Sequence, residues 1–103
     1  MVRSRWINMV KYGYFREAVD TVEELNRLLR EKGLREVSCW TPVGGISNQI
    51  IMEFEYQTLA DYEREGNAFE TDADIMKVWR GSAEYFIDGS GREELIVTAP
   101  ALA

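Results

Sequence analysis

Residues 48–65, NQIIMEFEYQTLADYERE, constrain the fold more than any other stretch of the chain. Residues 48–56 are rich in β-branched and aromatic side chains and read as a strand. Thr58 and Asp61, three apart, form a capping pair that opens a helix. The strand passes almost directly into that helix. Just ahead, Gly44 and Gly45 supply the positive φ angles of a hairpin turn. The order of the remaining elements can be read outward from this anchor.

Residues 5–12, RWINMVKY, read as a first strand. Residues 16–32 follow as a helix with an apolar stripe at Ala18, Val22, Leu25 and Leu29. Glu23 and Arg27, four apart, add support on its wet side, and Gly33 provides a C-terminal stop. Residues 34–43 read as a second strand, placed at a sheet edge by Pro42. The helix after Thr58 breaks around residues 66–71, and Thr71 or Asp72 caps a continuation holding Ile75, Trp79, Ala83 and Phe86. Residues 88–91, DGSG, form a loop, residues 93–99 a last strand, and Pro100 ends it. The predicted order is strand, helix, strand, strand, helix, strand. It gives an α+β, ferredoxin-like βαββαβ fold, a four-stranded antiparallel sheet with its helices on one face.

The chain of 103 residues reads as a single domain over 1–103. It contains no histidine, which removes the commonest neutral-pH base, the commonest metal ligand and every Ser-His or Cys-His pair. One cysteine, Cys39, cannot close an internal disulfide, as expected for a reducing, cytoplasmic setting; its place between Ser38 and Trp40 suggests a small buried apolar side chain. A net charge of −6 argues against a nucleic-acid partner. No apolar run approaches the roughly 18–20 residues that span a bilayer, and the MVRSRW start lacks the apolar stretch of a secretory signal. No metal site and no cofactor are expected.

Two sets of side chains in the first strand set up the partner question. Ile7 and Met9 point one way, and Trp6, Asn8, Val10 and Tyr12 the other. Two helices shield only one face, and an exposed apolar row marks an interface. The expectation is a homodimer packed sheet to sheet, enclosing a space between the copies.

The stretch Phe54-Glu55-Tyr56 followed by Leu59-Ala60-Asp61 resembles the NIPSNAP family of dimeric α/β-barrel proteins, in which a Trp-Glu-Tyr strand end precedes a Leu-Ala-Asp helix start. Asn48-Gln49 suits that family too. The specific match is about fifteen residues, although the element order covers most of the chain. Val10-Lys11-Tyr12 stands where the family often has Arg-x-Tyr, Met52 where it has His, and Phe54 where it has Trp. The resemblance implies the dimeric barrel and turns Tyr56, with Met52 and Phe54, toward the barrel interior. Plain patterning instead puts Ile50, Met52 and Phe54 on the most buried face, with Glu53 and Glu55 on the wet one.

More distantly the chain is similar to antibiotic biosynthesis monooxygenases, which oxidise aromatics without a cofactor through Asn, Trp, Tyr and Arg. That likeness marks Asn8 and Arg80 as catalytic candidates. In haem-degrading relatives a histidine ligates iron near the place of Arg80, and a guanidinium cannot do so. The ligand-lining candidates are Trp6, Asn8, Tyr12, Tyr56, Tyr62 and Trp79. The first reading is a small homodimeric NIPSNAP-like protein with an aromatic-lined cavity for an unknown hydrophobic molecule. The alternative is a cofactor-independent monooxygenase-like tailoring enzyme.

Overall fold

The computed structural model describes residues 1–99. Strand β1, Val2–Met9, leads through a short turn into helix α1, Phe15–Glu31. Strands β2, Ser38–Trp40, and β3, Gln49–Tyr56, precede helices α2, Leu59–Thr71, and α3, Ala73–Gly81. A 3-10 turn, Ser82–Tyr85, leads to strand β4, Arg92–Val97. The strands lie in the order β2-β3-β1-β4, every neighbouring pair antiparallel. The fold is the α+β, ferredoxin-like arrangement expected, with the helices over one face of the sheet.

Local chemistry explains most boundaries. The Asp61 amide donates to the Thr58 hydroxyl at 3.1 Å, and the Ile75 amide to the Asp72 carboxylate at 3.0 Å. Each bond satisfies an orphan donor at a helix start. Asp72 therefore ends α2 and begins α3; α2 runs through Gly66, so the break falls after the residues 66–71 where it was expected. Gly33 closes the first helix with φ +71°. The support expected from Glu23 goes elsewhere, since Arg27 pairs with Glu24 and Glu31.

Two strand predictions need correction. The first strand begins at Val2, not residue 5, because Arg3 and Arg5 are strand residues paired with Glu53 and Glu55 across the sheet. It ends at Met9, with Val10 forming a single bridge to Phe86. The second strand is three residues long, not ten. The Asn26 amide of α1 takes both backbone groups of Val37: its Nδ2 donates to the carbonyl at 2.9 Å, and its Oδ1 accepts from the amide at 2.7 Å. Residues 34–37 are thereby held off the ladder. Pro100 lies outside the described residues.

The core lies between the sheet and α1 with α3. Ala18, Val22, Leu25, Leu28 and Leu29 of α1 are buried against Val10, Ile50, Met52 and Ile75. This settles the conflict over β3. Ile50, Met52, Phe54 and Tyr56 face the helices, while Glu53 and Glu55 face the open side. Patterning by burial is right here, and the orientation taken from the family resemblance is overturned. The glutamates stay on the wet face because Arg3 and Arg5 stand beside them, at 3.0 to 3.5 Å.

Candidate functional site

Six aromatic rings on the helix side of the sheet form a continuous series. Trp6 meets Trp79 edge-on at 6.2 Å, and Trp79 meets Phe69 at 6.3 Å. Phe69 meets Phe54 at 6.4 Å, Phe54 stacks on Tyr56 at 6.1 Å, and Tyr56 meets Tyr62 at 5.7 Å. Such spacings are those of favourable aromatic pairs. All six line one cavity of about 180 Å³ between the sheet, α2 and α3. The alternation of β1 and β3 supplies Trp6, Phe54 and Tyr56, and α2 and α3 supply Tyr62, Phe69 and Trp79. This cavity is lined by the sheet and helices of a single chain. Trp6 is 38% exposed at its edge.

The arc of rings begins and ends beside one carboxylate. Glu93 of β4 is the register partner of Trp6. It accepts a hydrogen bond from the Ser4 hydroxyl at 2.7 Å and from the Tyr62 hydroxyl at 3.1 Å. Ser4 is fully buried, so its hydroxyl needs this acceptor. Loss of water around Tyr62, and then its bond to Glu93, raise the phenol pKa. Burial, followed by the nearby Glu65 charge, pushes Tyr56 up to about 12. Both phenols are therefore neutral donors at physiological pH.

Arg35 closes the cavity on the side of residues 34–37. Its guanidinium sits 5.3 Å over the Tyr56 ring and bonds Glu65 at 2.9 Å, the Glu55 carbonyl at 2.8 Å and, more loosely, Asp61 at 3.7 Å. Glu70 lines the cavity as well. Among the described residues, neither Glu70 nor Glu93 joins an ion pair.

A second, shallower hollow lies on the other side of Trp79, lined by Asn8, Arg80, Ser82, Phe86 and the 88–91 loop. The Asn8 Nδ2 is buried with no hydrogen-bond partner. Its Oδ1 sits so close to Gly91 that a Cβ there would lie 2.6 Å away.

The candidates from the sequence thus divide. Trp6, Tyr56, Tyr62 and Trp79 meet in the aromatic cavity, and Asn8 and Arg80 meet in the second hollow, with Trp79 bordering both. Tyr12 belongs to neither and is fully exposed, because β1 ends three residues before it. Cys39 also departs from expectation. It is exposed, since β2 is a short edge strand that the helices leave uncovered. Ser4, Arg35, Phe54, Phe69 and Glu93 were missed. Phe54, in strong alternation with Met52 and Tyr56, and Phe69, on one helix side with Leu59 and Tyr62, gave sequence signals for their faces. Among the described residues no group of three or more Cys, Asp or Glu is placed to hold a metal ion, and no helix is long and apolar enough to cross a membrane.

Neither a protein-family model nor a curated protein matches the sequence. Solved structures match its shape. A NIPSNAP domain protein from Burkholderia xenovorans has a TM-score of 0.79 at 14% identity, covering 97% of this chain and 96% of its own. A NIPSNAP family protein from Agrobacterium tumefaciens has a TM-score of 0.77 at 14% identity, covering 96% and 93%. This chain shares its fold with these two proteins. The same fold extends to an antibiotic biosynthesis monooxygenase, with a TM-score of 0.72 at 11% identity, covering 97% of this chain and 100% of that one. At such identities the likeness to NIPSNAP and monooxygenase structures is one of fold.

Proposed function

We propose that this chain is a small NIPSNAP-like protein that works as a homodimer and binds a compact aromatic molecule between its sheet and helices. The series of six rings around one cavity carries the reading. A cavity near 150 Å³ accepts benzene, so about 180 Å³ with an open edge suits one or two fused rings.

The unpartnered Asn8 amide beside Arg80 and Trp79 favours a second reading, as a cofactor-independent oxygenase. A naphthol would supply its own electrons: one naphthol and one dioxygen yield one naphthoquinone and one water. Arg80 would stabilise the phenolate formed first.

One experiment addresses both. Tryptophan fluorescence is followed in a Trp40→Phe background, which leaves Trp6 and Trp79, during titration with 1-naphthol, while an oxygen electrode records uptake. The variant Gly66→Leu serves as the control. Gly66 lines the cavity, and a Cβ there meets nothing within 4 Å. Leucine is also the better helix former, so this change blocks the cavity while keeping the fold. Saturable quenching in the parent protein and at least tenfold weaker binding in the variant are the expected results. Quenching that is identical in both proteins removes the cavity from consideration. Uptake of oxygen at a rate proportional to protein, abolished in Asn8→Ala, would place the oxygenase reading first.

A further inference from the structure

We infer that the aromatic cavity selects an organic cation, an aryl-alkyl ammonium, with Glu93 as its counter-ion; this rests on the cavity being a binding site. The geometry begins with the series of rings. Its two ends, Trp6 and Tyr62, both reach Glu93, one as its neighbour across the β1–β4 ladder and the other through its hydroxyl. The carboxylate thus fills the gap in an otherwise continuous aromatic wall. Ring faces carry negative quadrupole charge and attract ammonium groups, and aromatic enclosures are a recurring way of holding them.

The charges agree with the rings. The cavity is lined by one cation, Arg35, and three carboxylates, Glu65, Glu70 and Glu93. Arg35 is matched by Glu65 in a bond of 2.9 Å and is further engaged by Asp61. Glu70 and Glu93 are left without an ion partner among the described residues, so the cavity carries net negative charge. An anionic ligand would meet repulsion there.

Glu93 is positioned for this task by neutral donors. The Ser4 and Tyr62 hydroxyls fix the carboxylate without cancelling its charge. An ionised carboxylate accepts about four hydrogen bonds. The Oε1 atom receives only the longer Tyr62 contact, at 3.2 Å, and keeps capacity for an ammonium donor. A guanidinium in place of either hydroxyl would have neutralised the group. A hydrogen-bonded alcohol or phenol would also be accepted, but with no positive charge of its own it gains less from the carboxylate than an ammonium does.

The test compares three ligands of one shape: 1-naphthylmethylamine, charged at pH 7, 1-naphthylmethanol and 1-naphthoate. Affinities are measured by calorimetry on the native protein and on Glu93→Gln, which keeps the oxygen acceptor and loses the charge. The amine should bind about tenfold more tightly than the alcohol, and the naphthoate weakest of the three. In E93Q the amine should lose its advantage and fall to the level of the alcohol, whose own affinity falls less than the amine's. Raised salt should weaken the amine alone. If alcohol and amine bind equally to the native protein, or if E93Q retains the amine's advantage, the counter-ion assignment is overturned while the cavity stands. If none of the three binds, the cavity reading falls and takes this inference with it.

Discussion

Asn8 puts a buried amide nitrogen where nothing described in the fold receives it. An unmade hydrogen bond of this kind costs about 1–3 kcal/mol, whereas an apolar group of similar shape avoids the cost. Asn8→Leu should therefore melt within about 0.5 kcal/mol of the native protein or above it. A loss of about 2 kcal/mol in chemical denaturation would mean that the nitrogen is satisfied, by a water or a bound group, and that the second hollow is occupied. At this scale the sequence was informative where chemistry is local. An amide amid apolar neighbours stood out in β1, and the tryptophans and tyrosines were visible candidates. Glu93 was not visible. A glutamate at the start of a strand is ordinary until Trp6, Ser4 and Tyr62 are brought to it from positions 31 to 89 residues away.

Lys32, just past α1, ties it to the start of α3 through two carboxylates, Asp72 and, at 3.2 Å, Asp74. Lys32 Nζ lies 2.7 Å from Asp72, whose carboxylate also caps α3. The lysine first, and then the Ile75 amide, hold Asp72 below its ordinary value of 3.8. A carboxylate depressed in the folded state stabilises the fold fully above its unfolded value. That contribution is lost as pH falls through the depressed folded value. Thermal melts of the native protein and Lys32→Met should therefore differ near pH 6 and converge near pH 2. A gap unchanged at pH 2 would rule out the linkage. Elements were legible to the extent that their signals were periodic or capped. The α1 stripe, Thr58 and Asp72 announced themselves, and so did the edge placement of β2. The length of β2 was hidden, because a side chain from another element removed Val37 from the ladder. The start of β1 was hidden because arginines in a strand read as surface until Glu53 and Glu55 are seen opposite.

Across the whole molecule, the open face of the sheet is divided. Arg3, Arg5, Glu53 and Glu55 hold one end in ion pairs, while Met9, Trp40 and Ile51 leave the other end apolar. Trp40 is 60% exposed. The sequence suggested a sheet greasy on both sides, and the paired charges reduce that argument to half of the face. Sheet-to-sheet pairing through the apolar half predicts sedimentation at about twice 11.9 kDa at micromolar concentration. Ile51→Glu should return the protein to a folded single chain, with unchanged circular dichroism. A native protein that sediments as one chain would remove the homodimer and leave the internal cavity intact.

The amide of Asn26 has an effect well beyond the two bonds it makes. Had residues 34–37 zipped onto β3, their side chains would have alternated across the sheet plane. Leu34, Arg35 and Val37 instead all border the same chamber. Arg35 also occupies the Glu55 carbonyl that a further strand would have used, which makes that rim a poor template for another chain. A few forgone ladder bonds thus turn what would be a plain sheet edge into a doorway with a wall of its own.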